Sequence, residues 1–153
     1  ATPEGGASPL SGDEEALWRD LIRIVVTLPR ALDDDLARMA GISLSEYAVL
    51  MNLSEAEGQG LRLSALAAAV ALSLSRVSRL VDELQAQGLV TKARDAVDTR
   101  GSIATLTPAG LDRLRRAYPA HLLSARQRVM DHVPAELVLP TTRALAAVAA
   151  TMR

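Results

Sequence analysis

Cysteine and phenylalanine are both absent from this chain of 153 residues, and two tyrosines and one tryptophan are its only large aromatic rings. Without cysteine there is no disulfide framework, no thiolate metal site and no thiol-based redox sensor. With so few rings the core has to be built from Leu, Val and Ala, residues that suit helices, so an all-β fold is disfavoured. No apolar run approaches the roughly 18 residues of a membrane-spanning helix. The opening stretch, ATPEGGASPLSGDEE, has neither a basic flank nor an apolar segment, and residues 1–12 read as a disordered tail. Together these absences lead us to expect a soluble, cytoplasmic protein without a membrane partner, of a length that fits one domain.

A strong charge of one sign is also missing, since the formal net charge is −1. The total hides a segregation: residues 1–60 hold four arginines against eleven acids, and residues 61–153 hold thirteen Lys or Arg against seven acids. Segregated charge leaves room for one basic face. Catalytic and metal-binding signatures are scarce. His121 and His132 are eleven residues apart, not the i, i+4 pair of a helical metal site. No serine sits in a G-x-S-x-G elbow, and no glycine-rich loop is set to cradle phosphate. The expectation is a protein that is not an enzyme and needs neither metal nor cofactor.

What is present is helical periodicity, interrupted once. Asp13, Glu14 and Glu15 lead into apolar positions at Leu17, Leu21, Ile24, Val25, Leu28, Leu32, Leu36 and Met39, and acids at a helix start suit the macrodipole. Pro29 inside that pattern is expected to kink or split the helix, and Gly41 to end it. Ser43 and Glu46 have the spacing of a capping box, opening a helix through Tyr47, Val49, Leu50 and Leu53. Ser64 and Ser73 are candidate caps for two further helices with about three residues between them, the layout of a helix-turn-helix. The period then changes. Leu89 to Arg94 and Ser102 to Leu106 are β-prone runs around a polar tip holding Asp95, Asp98, Arg100 and Gly101, which predicts a hairpin. Thr107 with Pro108 predicts the start of another long helix, to about Val133 and bent at Pro119. A last helix is expected over about Ala135 to Met152, with Pro140 in its first turns. The fold class expected is mainly α with a small β-hairpin wing: a winged helix-turn-helix lobe plus a helical dimerisation domain.

The helix beginning at Ser73 has apolar positions at Leu74, Val77, Leu80, Val81 and Leu84. Ser75, Arg79 and Asp82 fall on the opposite face, with Arg76 and Ser78 on the flanks. Such a face suits a DNA major groove: small serines allow close approach at a helix start, and arginine reaches guanine edges or phosphates. At the hairpin, Lys92 and Arg94 share one strand face because they are two apart, Arg100 is placed to enter a minor groove, and Asp98 to position it. The candidate DNA-binding set is therefore Ser73, Ser75, Arg76, Ser78, Arg79, Lys92, Arg94, Asp98 and Arg100. The residues alone leave two other readings open, a winged-helix module for a protein partner and a small-molecule-binding helical dimer with no DNA function.

From about Leu17 onward the chain resembles the MarR family of bacterial winged helix-turn-helix regulators. The strongest stretch is SRVSRLVDELQAQGLVTKARDAVDTRGSIATLTPAG, in which Gly88 to Val90, Asp98, Arg100, Leu106, Thr107 and Gly110 match the family pattern, and AGISLSEYAVLMNL matches the segment before the lobe. The resemblance implies a homodimer, with residues 13–42 and 108–153 forming its helical dimerisation region. Two winged lobes, residues 43–107 of each chain, would bind a pseudo-palindromic operator. It also implies a repressor released by a small aromatic or anionic effector, for which Trp18, Tyr47 and Met51 are the candidate pocket residues.

Overall fold

The computed structural model describes residues 8–152; residues 1–7, most of the expected tail, and Arg153 lie outside the described residues. The chain runs α1 (Gly12–Ala40), α2 (Leu44–Glu55), a 3-10 turn, β1 (Gly60–Arg62), α3 (Leu63–Val70), α4 (Leu74–Ala86), β2 (Val90–Arg94), β3 (Ser102–Leu106), α5 (Pro108–Arg128), a second 3-10 turn and α6 (Ala135–Ala150). The strands form one antiparallel sheet in the order β1-β3-β2.

Local chemistry explains most helix starts. Ser11 caps α1 with a full capping box: its hydroxyl accepts from the Glu14 amide at 3.2 Å, and the Glu14 carboxylate accepts from the Ser11 amide at 2.7 Å. The acids of the expected tail boundary are thus the first turn of α1. Ser43 and Glu46 repeat the arrangement at α2, where Asp33 of α1 also accepts from the Leu44 amide at 2.7 Å. Gly41 ends α1 in the left-handed region, φ 62°, as a C-terminal cap requires.

Three expectations need correcting in whole or part. Of the kink or split expected at Pro29, the split does not occur: α1 continues as one helix of 29 residues, and Pro119 and Pro140 also sit inside continuous helices. A proline removes one hydrogen bond per helix, and the turns on either side keep theirs. Ser64 is not the cap of α3: the helix begins one residue earlier, directly from β1, with Arg62 at the cap position and no side-chain cap. The preceding Gly60 to Arg62 are drawn into the sheet by pairing with Thr105 to Ile103, an edge strand too short to show alternation. Finally, α5 stops at Arg128, and a 3-10 turn over Met130–His132 leads to Pro134 and α6.

The core lies where the lobe packs against the end of α1 and the start of α5. Leu50 and Leu53 of α2, Leu66 of α3, Val77, Val81 and Leu84 of α4, Val90 and Ala104 of the sheet and Ala117 of α5 are all buried together. By contrast the first half of α1 exposes Leu17, Trp18, Ile22, Ile24, Val25 and Val26, and α6 has no buried residue.

The lobe is fastened to α5 at one close contact. Thr107 donates its amide to the Leu89 carbonyl at 3.1 Å and its hydroxyl to the Gly88 carbonyl at 2.7 Å, and that hydroxyl accepts from the Gly110 amide at 3.0 Å. Gly110 then lies so near Leu89 that a Cβ there would fall 2.0 Å from the Leu89 carbonyl oxygen and 2.7 Å from Leu106 Cδ1. Backbone cannot yield to that overlap as a side chain can. Gly110→Ala is expected to lower unfolding free energy by roughly 2 to 3 kcal/mol in urea denaturation. Gly12→Ala, whose Cβ would meet nothing within 4 Å, should leave stability intact or raise it.

Candidate nucleic-acid interface

The helix-turn-helix is closed by Ala71, Leu72 and Ser73, with Ala71 in the left-handed region at φ 54°. That turn sets α4 at 105° to α3. The Ser73 hydroxyl accepts from the Arg76 amide at 3.3 Å, capping α4. With Val77, Val81 and Leu84 buried, the opposite face carries Ser75, Arg76, Arg79 and Asp82, all exposed. Among the described residues neither Arg76 nor Arg79 forms an ion pair. Leu74, placed by its spacing on the apolar stripe, is 54% exposed at the first turn of α4. Its apolar surface therefore adjoins the polar face, a surface chemistry that suits a thymine methyl.

The candidate residues do not all present free charge. Lys92 places its ammonium 2.8 Å from Asp82 Oδ1 and 3.3 Å from Ser78 Oγ, so it ties β2 to α4 and its charge is locally compensated. Arg94, two residues on, is exposed and forms no ion pair among the described residues. At the tip, the Arg100 side chain is 96% exposed. Asp98 accepts from the Arg100 amide at 3.1 Å and lies 3.7 Å from its Nε, a positioning contact of the kind expected from the spacing.

One residue absent from the candidate set proves central to the wing. Arg62 of β1 donates to the Asp95 carboxylate through Nε and Nη2 and reaches Asp98 at 3.6 Å. Asp95 is buried, its other oxygen accepts from the Val97 amide at 2.9 Å, and its own amide donates to the Gly101 carbonyl at 3.0 Å. The Val97 amide first, and Arg62 second, hold the Asp95 carboxyl below its ordinary range. Only a basic residue 33 positions upstream hinted at this, and nothing local marks it. Arg62, Ser64, Leu74, Ser78, Asp98 and Arg100 line a groove of about 340 Å³ between wing and helix-turn-helix.

The second missed residue, Asp35, clasps α1 to α5. This carboxylate of α1 is buried, accepts from Ser124 Oγ at 2.6 Å and from Arg128 Nε and Nη2 at 3.0 and 3.1 Å, and pairs with Arg38 at 2.6 Å. The Arg128 hydrogen bonds, then Ser124, hold its carboxyl far below the usual carboxylate range, against the opposing effect of burial. Arg113 adds a second clasp, donating to the Ala40 and Gly41 carbonyls at 2.7 and 2.8 Å at the end of α1.

The proposed effector residues do not converge. Tyr47 is buried and stacks on His121 of α5, ring centroids 4.5 Å apart at 24°. Trp18 is 55% exposed on the apolar face of α1. Met51 alone lines a cleft of about 910 Å³ where α1, α2, α3 and α4 meet, together with Arg30, Asn52, Leu72, Arg76 and Arg79. Among the described residues no cluster of three His, Asp or Glu is arranged to hold a metal ion.

A helix-turn-helix with unpaired arginines on its second helix, followed by a hairpin tipped with an exposed arginine, defines a winged-helix DNA-binding lobe. Comparison with known proteins then gives the family. The MarR family profile matches residues 40–101. The chain is 31% identical to Sco3205, a MarR family transcriptional regulator from Streptomyces coelicolor solved in complex with DNA; the match covers 96% of this chain and 92% of that one, with a TM-score of 0.86. AbsC, another MarR family regulator from Streptomyces coelicolor, is 32% identical over 96% of this chain and 99% of its own, with a TM-score of 0.84. CouR from Rhodococcus jostii RHA1, solved bound to p-coumaroyl-CoA, is 26% identical over 94% and 96% with a TM-score of 0.72. A sequence search of curated proteins returned no significant match. The chain belongs to the MarR family and is a DNA-binding transcriptional regulator.

Two acid limbs of stability follow. His121 is partly buried with Nδ1 unpartnered, and burial depresses its pKa below 6.5. The unfolded chain therefore takes up that proton first, and stability falls as pH drops from about 6.5 through the folded value. Asp35, also depressed, contributes stability that is complete above 3.8 and is lost at lower pH. Urea denaturation across pH should show both limbs, and His121→Phe should remove only the upper one. Asp35→Ala should cost roughly 1 to 3 kcal/mol at neutral pH and flatten the lower limb.

Proposed function

We propose that this chain acts in the cytoplasm as a homodimeric repressor that binds a pseudo-palindromic operator and is released by a small-molecule effector. The observation that carries the reading is the set of exposed arginines on two adjoining elements of the lobe: Arg76 and Arg79, without ion pairs among the described residues, and Arg100, positioned by Asp98 with its side chain almost wholly exposed. Residues 43–107 form the reading lobe, with Ser73, Ser75 and Ser78 allowing α4 a close approach, Arg94 and Arg100 extending the contact along the wing, and Lys92 and Asp98 holding the two elements in register. Residues 13–42 and 108–153 form the dimerisation region. Their exposed apolar side chains, Leu17, Trp18 and Val25 of α1 with Leu137, Leu139 and Leu145 of α6, support burial against a second copy.

Release works through the cleft beside Met51, because it adjoins both α1 of the dimerisation region and α4 of the lobe. Met51 and Leu72 would face the apolar or aromatic body of an effector and Arg30 an anionic group, in a lining that also holds Asp33 and Glu83. Its occupation biases the spacing of the two lobes away from adjacent major grooves. CouR, at 26% identity, is a relative solved with p-coumaroyl-CoA bound. The chemistry throughout is binding, with no catalytic step.

The test is fluorescence anisotropy with duplexes taken from the DNA upstream of the coding sequence. Wild-type affinity is expected to fall steeply between roughly 50 and 200 mM salt. Arg79→Ala and Arg100→Ala should each weaken binding by about 1 to 3 kcal/mol. If the double variant binds as tightly as wild type, this face is not the one that meets DNA.

A further inference from the structure

Arg62 belongs at once to three parts of the lobe. Its backbone is the last residue of edge strand β1 and the cap position of α3, and its guanidinium reaches the wing tip. The side chain is 42% exposed, against 96% for Arg100, because two of its nitrogens lie on Asp95. From Asp95 and Asp98 the connections continue outward. Asp95 holds the Val97 amide, Asp98 holds the Arg100 amide, and the Asp98 carbonyl accepts from Gly101 at 2.9 Å. The tip thus has a hydrogen-bonded frame with one cation at its root, and Val97 and Arg100 are among the side chains left outside it, 95% and 96% exposed.

Two carboxylates on a hairpin meant for phosphate-rich DNA are an electrostatic liability unless a cation neutralises them. We infer that Arg62 is a positioning residue for operator recognition: by binding Asp95 and Asp98 it fixes the wing against α3 and presents Arg100 before the duplex arrives. The inference rests on the DNA-binding reading above. Ordering a long side chain and a loop in advance lowers the entropy lost on binding, so the tether acts on affinity without itself touching a phosphate. Arg62 therefore differs from Arg76, Arg79 and Arg100, which have no such frame to hold.

Asp95→Asn gives the sharpest test, because simple electrostatics and the tether predict opposite signs. Removing a negative charge beside DNA should strengthen binding by electrostatics alone; loss of the tether weakens it. We would measure anisotropy of a duplex bound by the wild type, over a salt series, for Arg62→Ala, Asp95→Asn and the double variant. Each single variant is expected to weaken binding roughly tenfold, and the double variant no more than either single one, as for two partners in one contact. The slope of log affinity against log salt should match the wild type in all three, since no phosphate contact is lost. An Asp95→Asn variant that binds as well as or better than wild type overturns the proposal. So does an Arg62→Ala slope lower by about one, which would make Arg62 a phosphate contact, or additive losses in the double variant. If Arg62→Ala fails to fold by circular dichroism, Arg62→Lys replaces it; that variant keeps the charge without the fork and should bind as weakly. Wild-type protein that binds no duplex would sink the DNA reading itself, whereas tight wild-type binding with an indifferent Asp95→Asn sinks only the tether.

Discussion

The seat of Gly110 on the Leu89 carbonyl is the constraint on which the working geometry depends. Leu89 follows the end of α4, Thr107 follows β3 as the cap of α5, and Gly110 lies in the first turn of α5. The recognition helix, the wing and the helix that leads to the dimerisation region therefore meet at one point. A residue with a Cβ would push them apart. Asp35 and Arg113 do similar work a few turns away by clasping α1 to α5. Lobe and long helices are thus joined by hydrogen bonds and close backbone contact as well as by apolar packing.

Charge placement, not charge quantity, carries the DNA reading. The segment from Ser73 to Gly110 has Arg76, Arg79, Lys92, Arg94 and Arg100 against Asp82, Glu83, Asp95 and Asp98. Three of the four acids are engaged by neighbours: Asp82 with Lys92, Asp95 with Arg62, Asp98 with Arg62 and Arg100. What remains outward without an ion pair among the described residues is Arg76, Arg79 and Arg94 against Glu83. A count of charges cannot register that sorting, because it depends on which carboxylates turn inward.

The parts of this architecture legible in the sequence are those written locally. Caps at Ser43, Ser73 and Thr107 act over three residues, the α4 stripe over four, and the hairpin announces itself by a change of period. Strand β1 is three residues long and owes its existence to pairing with β3, some 40 residues on, so no local signal could reveal it. The ion pair of Arg62 with Asp95 spans 33 residues and the Ser124 contact with Asp35 spans 89, beyond any reading of neighbours. Tyr47 and Trp18 show the converse limit. The family resemblance implied a pocket at these rings; one ring packs in the core against His121 and the other lies on an exposed apolar face.

The central claim is that two copies of this lobe, spaced by the long helices, read one face of a duplex. A hydroxyl-radical footprint on an upstream duplex that the wild type binds tests this reading. Two protected tracts related by a two-fold axis are expected, their centres about one helical turn, or 10 to 10.5 base pairs, apart, as for other helix-turn-helix dimers. A single protected tract, or uniform protection without two-fold symmetry, would contradict it.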